Sequence, residues 1–444
     1  MSSGRSSDSA YLLMFFLLLI LAGSLALSLP AAWSGSAVHP GRLPYIDALF
    51  TATSAVCVTG LGTVDTADFS RFGQVVILLL IQLGGLGIIS FTSILLLVPG
   101  RRIPLRRINT IKSFSIDGVE HDPFKIVRSI VFFTFTSEAI GALALFGLFA
   151  SSGQPNPAFN AVFHAISAFC NAGFSTYRDS LEGFAGHPAI LLVVACLIVT
   201  GGIGFIVLHD VARRFLGRKR RLSYHSKLIL LATAVLVGGG ALLFWLLERR
   251  SAFAGLPPLH QAVNALFQAI TPRTAGFNAV HQANLLQPSK FLTILLMVIG
   301  GAPGSIAGGI KVSTAYIVLL AMVKRANERG EINALGRRVS ARTINSGVIY
   351  FIKAVFLLVC AAGLLSLVEG PRGASLGDMA FEVASAFGTV GLSLDFTPTM
   401  SRLGKLIIIA TMYAGRVGLF ALVFFAVPGK KDNLVYPEAD ILLG

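Results

Sequence analysis

The sequence predicts an all-α polytopic membrane protein built from four internal repeats, and three observations carry that prediction. Hydrophobic residues make up 54% of the 444, while charged residues reach only 13%, about half the roughly 25% typical of soluble domains. Eight apolar stretches approach the roughly 20 residues that a helix needs to cross a bilayer core. Between them, four shorter half-apolar segments recur at a long and near-constant spacing. A chain this apolar would expose aggregating patches if it folded alone in water. Disorder, collagen and coiled coil tolerate neither so little charge nor so much Phe and Leu.

The apolar stretches cover about 11–29, 73–98, 126–150, 188–208, 228–247, 291–323, 348–368 and 405–427. The first follows Arg5 and ends in small residues, which also suits a cleaved signal peptide, but the repeat requires it as a span. The short segments read TATSAVCVTGL (51–61), HAISAFCNAGF (164–174), FQAITPRTAGF (267–277) and EVASAFGTVGL (382–392). They align on Gly60, Gly173, Gly276 and Gly391, separated by 113, 103 and 115 residues. Ten residues before each glycine stand Phe50, Phe163, Leu266 and Phe381, and six before stand Ser54, Ser167, Ile270 and Ser385. A second mark keeps the register: Gly84, Gly201, Gly300 and Gly415 follow their repeat glycines by 24, 28, 24 and 24 residues. Each repeat thus reads span, short helix, glycine turn, span. The organisation is 1–10 N-terminus, 11–98 repeat 1, 99–125 linker, 126–208 repeat 2, 209–227 linker, 228–323 repeat 3, 324–347 linker, 348–427 repeat 4 and 428–444 C-terminus.

Non-helical backbone at membrane depth is tolerated only where protein buries it or water reaches it. Four re-entrant segments most economically surround one axis, each short helix aiming its negative C-terminal end there. Glycine then lets the chain return outward with carbonyls turned inward. Rings of backbone carbonyls replace a cation's hydration shell in potassium filters. Thr389-Val390-Gly391-Leu392 comes close to the Thr-Val-Gly-Tyr-Gly pattern of such filters, while the other three segments keep the glycine. The alternative is a set of membrane-embedded loops lining a substrate cavity. The residues therefore point to eight spans and four pore helices around one central ion pore.

The motifs CVTGL, CNAGF, RTAGF and TVGLS resemble those of the TrkH/Trk/KtrB/HKT superfamily of potassium transporters, and within it the KtrB branch, over roughly residues 11–428. The resemblance implies potassium permeation, because all four filter positions are glycine. It implies filter-lining residues Val58, Thr59 and Gly60; Asn171, Ala172 and Gly173; Thr274, Ala275 and Gly276; and Thr389, Val390 and Gly391. It further implies a homodimer seated on a cytosolic KtrA-type ring that binds ATP or ADP, with sodium as an activating ion and potassium as the ion carried. No nucleotide site is expected on this chain. A bacterial-type inner (plasma) membrane location follows.

Residues 289–323 would run about 52 Å as one helix, far longer than the bilayer core. GGAPGSIAGGIKVST (300–314) interrupts them, beginning some 15 Å from the outer end at about 1.5 Å per residue. An interrupted span at mid-membrane usually lines a pathway; a single helix kinked at Pro303 is the bland reading. The resemblance favours an intramembrane gate made of Gly300, Gly301, Pro303, Gly304, Ser305, Gly308, Gly309 and Lys311. Arg416 follows Gly415 and falls in register with Gly301. An intramembrane arginine needs a partner or an aqueous cavity, so it is expected to hold the loop's carbonyls and raise a barrier to cations. Lys311 either snorkels or neutralises the cavity.

Asp65, Asp68, Asp179, Glu182 and Asp395 follow the filter glycines; they either concentrate cations at the mouth or are solvated loop charges. Glu138 reads as a helix–helix hydrogen bonder, and Glu382 as an acid at the start of a pore helix. Arg273 belongs behind the filter, since a cation lining it would repel potassium. GGLG (84–87) and GGIG (201–204) lie inside apolar spans with no strand before them, which suits helix packing rather than a nucleotide loop. Cys57, Cys170, Cys196 and Cys360 show no paired or metal-ligand spacing. No HExxH, GxSxG, Walker or Cys/His cluster appears, so no enzyme chemistry is read. A sodium-coupled symporter with alternating access would need inverted repeats, whereas these share one direction; a potassium/sodium-conducting member of the same superfamily is the nearer alternative.

The net charge of +15 would suggest nucleic acid in a soluble protein. Residues 1–10, 99–128, 209–227, 324–345 and 428–444 hold 23 of the 36 basic and 10 of the 21 acidic residues. By the positive-inside rule that face, with both termini, is cytoplasmic. The excess is thus a topology signal, with docking or anionic lipid as second uses and no nucleic acid.

Overall fold

The computed structural model describes residues 3–36, 39–97, 123–217, 221–327, 330–334 and 336–417. The basic stretch 101–112, most of the 99–125 linker and the 428–444 C-terminus lie outside the described residues. The described chain is predominantly helical. In order it forms α1 (Ser3–Leu27), α2 (Tyr45–Cys57), α3 (Arg71–Leu97), α4 (Pro123–Ser151), α5 (Pro157–Phe169), α6 (Pro188–Ile203), α7 (Phe205–Phe215) and α8 (Tyr224–Glu248). There follow α9 (Pro258–Ile270), α10 (Gln287–Val298), α11 (Val312–Val323), α12 (Ala341–Glu369), α13 (Leu376–Gly388) and α14 (Arg402–Val417). A small antiparallel pair, Ile332–Ala334 with Arg337–Val339, sits before α12.

Local sequence sets these boundaries. Ser223, Ser340 and Ser375 cap α8, α12 and α13 by accepting a backbone N–H through the side chain, which satisfies a donor otherwise orphaned. Pro157 and Pro258 open α5 and α9, where a missing N–H costs nothing. Among the described residues 127–151, 224–248 and 341–372 are long and apolar enough to cross a membrane. The pair α6 and α7 makes a fourth if counted as one, but it is bent by 105°. The uninterrupted span over 188–208 is therefore corrected: Gly204, at φ +90°, ends α6 and starts α7. The turn is held from outside, because Phe205 N donates to Gly304 O at 3.2 Å and Ala302 N to Gly202 O at 3.0 Å.

Four 13-residue helices, α2, α5, α9 and α13, end in turns at the aligned glycines. Phe50, Phe163 and Phe381 are fully buried, which accounts for the recurring aromatic. The second glycine mark is a packing position. A Cβ on Gly84, Gly201 or Gly415 would fall 2.8, 3.1 or 2.8 Å from the carbonyl carbon of Val56, Phe169 or Phe387. Each of those carbonyls lies four residues before its turn glycine, so three following helices pack on the short helices in one register. Gly300 is the exception, packing on Gly308 of its own loop.

Candidate functional site

Each turn has the same backbone. Val58, Asn171, Thr274 and Thr389, two residues before the glycines, take φ +56°, +55°, +77° and +50°. Gly60, Gly173, Gly276 and Gly391 take +94°, +71°, +78° and +100°, while Thr59, Ala172, Ala275 and Val390 between them are not left-handed. A left-handed conformation in Val or Thr costs about 1–3 kcal/mol and persists only where its surroundings impose it. They do: Thr59 N, Ala172 N and Val390 N donate to Ser54 O, Ser167 O and Ser385 O at 2.7, 2.7 and 2.9 Å. Ser54 and Ser385 hydroxyls also accept from Gly60 N and Gly391 N at 3.0 and 3.1 Å. In the third turn, where Ile270 replaces serine, the neighbouring Thr271 donates to Phe277 O at 2.7 Å.

The four turns close a ring. A Cβ on Gly60 would lie 3.1 Å from the Cα of Gly173; on Gly173, 3.1 Å from Gly276; on Gly276, 3.1 Å from Gly391; and on Gly391, 2.9 Å from Gly60. The cycle runs in chain order, with backbone meeting backbone at every step. The twelve residues read as filter-lining are thus brought together, and Thr59 and Thr389 leave buried hydroxyls without a protein partner.

Beneath this ring lies the non-helical segment between α10 and α11. Its ends are tied, Gly300 N to Ile310 O at 2.9 Å and Val312 N to Gly301 O at 3.0 Å. A Cβ on Gly308 would run into the Thr389 side chain, and one on Gly309 would come within 3.2 Å of Gly388 Cα. Pro303 O and Gly304 meet the α6–α7 break, Ser305 closes on Ala302 O at 2.6 Å, and Ile306 reaches Gly85 of α3. From α14, buried Arg416 donates to Ile306 O and, at 2.7 Å, to Gly84 O. Among the described residues no carboxylate contacts it. Lys311 donates to Ala307 O within the loop, so it binds its own segment.

Four of the five acids after the glycines are cross-linked between turns. Arg178 pairs with Asp68 and, at 3.6 Å, with Asp65. His281 contacts Glu182 at 3.3 Å and Asp395 at 2.8 Å. Burial, reinforced by Asp68, pushes the Asp65 carboxyl up against the pull of Arg178; burial likewise pushes Glu182 up despite His281.

Glu138 accepts from Gln82 of α3 at 3.1 Å, a helix–helix contact. Arg273 is buried, and its Nε has no partner; it lies beside Ile198, Gly202 and Gly301. Glu382 needs correction. The helix begins six residues earlier, at Leu376, so Glu382 is mid-helix and its carboxylate turns to the chain beyond the glycine. Sequence reasoning missed Glu248 and Glu369, the last residues of α8 and α12. They accept from Leu286 N at 2.9 Å and Ser401 N at 2.8 Å, and both donors stand ten residues past a turn glycine. That shared offset was the available signal.

A family model described as TrkH, cation transport protein, matches residues 10–435. The chain is 37% identical over 439 residues to the potassium/sodium uptake protein NtpJ of Enterococcus hirae, covering 97% of this chain and 95% of that protein. It is 35% identical over 444 residues to the Ktr system potassium uptake protein B of Vibrio alginolyticus, covering 99% and 96%. The Bacillus subtilis protein of the same name is 35% identical over 433 residues, covering 97% and 95%. In fold, the chain is similar to the crystal structure of the potassium transporter TrkH from Vibrio parahaemolyticus, with a TM-score of 0.75 and 20% identity, over 95% of this chain and 85% of that one.

Proposed function

The chain belongs to the TrkH family of cation transport proteins, and from that membership we propose that it takes up potassium through a filter formed by the four glycine turns, gated by the loop beneath. The closed ring of left-handed turns carries this reading. Alternating handedness lets successive carbonyls face one side, and a ring of carbonyls can replace potassium's hydration shell. Each short helix also ends at the ring with its partial negative charge. One relative is named for potassium/sodium uptake and two for potassium uptake, which fits potassium as the ion carried; sodium as an activator is what the family resemblance implies.

The gate reading rests on the segment 300–311 lying under Thr389 and Gly388 and being held by Arg416. Among the described residues this guanidinium bonds only to carbonyls, so no carboxylate offsets its charge, which opposes cations in the closed state. Eight spans with both termini cytoplasmic follow from the charge asymmetry. Two relatives are named as the B protein of a Ktr system, which supports a system of more than one component; a homodimer working with a cytosolic ring that binds ATP or ADP, in a bacterial plasma membrane, is what the family resemblance implies.

Rubidium uptake into proteoliposomes is the test. Wild-type protein is expected to take up rubidium down its gradient, Gly391→Ser to lose preference for potassium over sodium, and deletion of 300–310 to raise basal flux. No cation flux in wild type overturns the reading. An unchanged ion preference in Gly391→Ser overturns the filter assignment alone.

A further inference from the structure

Two of the four turns carry a side-chain strut running from nine residues before the glycine to two residues past it, which the other two lack. In the fourth, Glu382 stands nine residues before Gly391 and is fully buried. Its Oε1 accepts from the Ser393 hydroxyl, two residues past the glycine, and from Leu394 N at 3.2 Å; its Oε2 accepts from Thr397 Oγ1 at 2.8 Å. In the second, His164 stands nine before Gly173 and is fully buried. Its Nδ1 donates to Asn160 O at 2.7 Å, leaving Nε2 of the neutral ring to accept from Ser175 Oγ at 2.8 Å. Ser175 is again two past the glycine. The same positions in the first and third turns are Thr51 with Gly62 and Phe267 with Asn278. Thr51 Oγ1 has no partner, Gly62 has no side chain and Phe267 cannot hydrogen-bond.

Since the ring runs in chain order, the second and fourth turns face each other. We propose that Glu382 and His164 are positioning residues that hold the ring's width across this one diagonal and thereby set its preference for potassium over sodium. The inference rests on the potassium-filter reading. Hydrogen bonds to a buried carboxylate are strong, and leaving one end unpaired is costly, so this diagonal resists widening or collapse. On the other diagonal the third turn is tied farther from the ring, by Gln268 of its short helix and Gln282 at 2.8 and 3.2 Å, while among the described residues the first has no matching side-chain tie, so that diagonal is not held at both ends. Discrimination between two ions of one charge depends on how firmly the coordinating carbonyls are held in number and spacing.

The test is the potassium-over-sodium permeability ratio in proteoliposomes, measured for Ser393→Ala, Ser175→Ala, Glu382→Gln and the control Thr51→Val. Ser393→Ala removes one strut while keeping the carboxylate satisfied by Leu394 N and Thr397, so it is the arm least exposed to misfolding. Its ratio is expected to fall about tenfold, the worth of one charge-assisted hydrogen bond. Ser175→Ala should fall less, having lost a neutral bond, and Thr51→Val should match wild type. Addition of Glu382→Gln to Ser393→Ala should lower the ratio by less than it does alone. Wild-type ratios in both serine variants, with wild-type protein selecting potassium, overturn the struts and leave the filter standing. Wild-type protein that does not select potassium overturns both.

Discussion

In the proposed gate, Arg416 concentrates the energetics in one side chain. Its two hydrogen bonds reach Ile306 of the loop and Gly84 of α3, so it ties the loop to two helices from different repeats. Arg416→Ala is expected to raise basal rubidium flux about tenfold, by loss of charge-assisted bonds, and Arg416→Lys to fall between. Unchanged flux in proteoliposomes would remove this residue from the gate. The position was legible because the register set it against Gly301. Glu382 was not, because its acid looked like a helix-start residue; its partners Ser393 and Thr397 become neighbours only after the chain doubles back through the turn.

Among elements, the close approach of α3, α6 and α14 to the short helices decides what the second glycine mark is for. Gly201→Ala places a methyl group against the Phe169 carbonyl, an overpacking that costs about 1–3 kcal/mol. A lower thermal midpoint in detergent is expected. Gly238→Ala and Gly239→Ala, which meet open space on α8, should hold or raise it, because alanine favours helix by about 1 kcal/mol. Equal midpoints for all three would refute the packing role. Element order and the four short helices were readable from spacing alone. The break at Gly204 was not, since residues 188–208 are uniformly apolar and the bonds that hold the bend come from residues 302 and 304, about a hundred positions away.

For the whole molecule, charge asymmetry makes the clearest claim. If the basic face is cytoplasmic, Leu216→Cys after α7 and Ser151→Cys at the end of α4 lie on opposite sides. In a background lacking the four native cysteines, a membrane-impermeant maleimide is expected to label Ser151→Cys in intact cells and Leu216→Cys only after permeabilisation. The reverse pattern would invert the topology. The claim is drawn from composition, because a membrane imposes its rule on every span at once; the contacts that tie one turn to another, such as Arg178 with Asp68, depend on loops whose pattern composition does not encode.

The ring is closed by one continuous chain, so a single codon change alters one quarter of it. In an assembly of four identical subunits the same change would appear four times, and intermediate forms could be made only by mixing subunits. Here a glycine can be replaced in one, two, three or all four turns by separate mutations. On the proposed filter reading, selectivity can therefore drift in quarter-steps, each exposed to selection on its own, and each turn is free to acquire neighbours the others do not share.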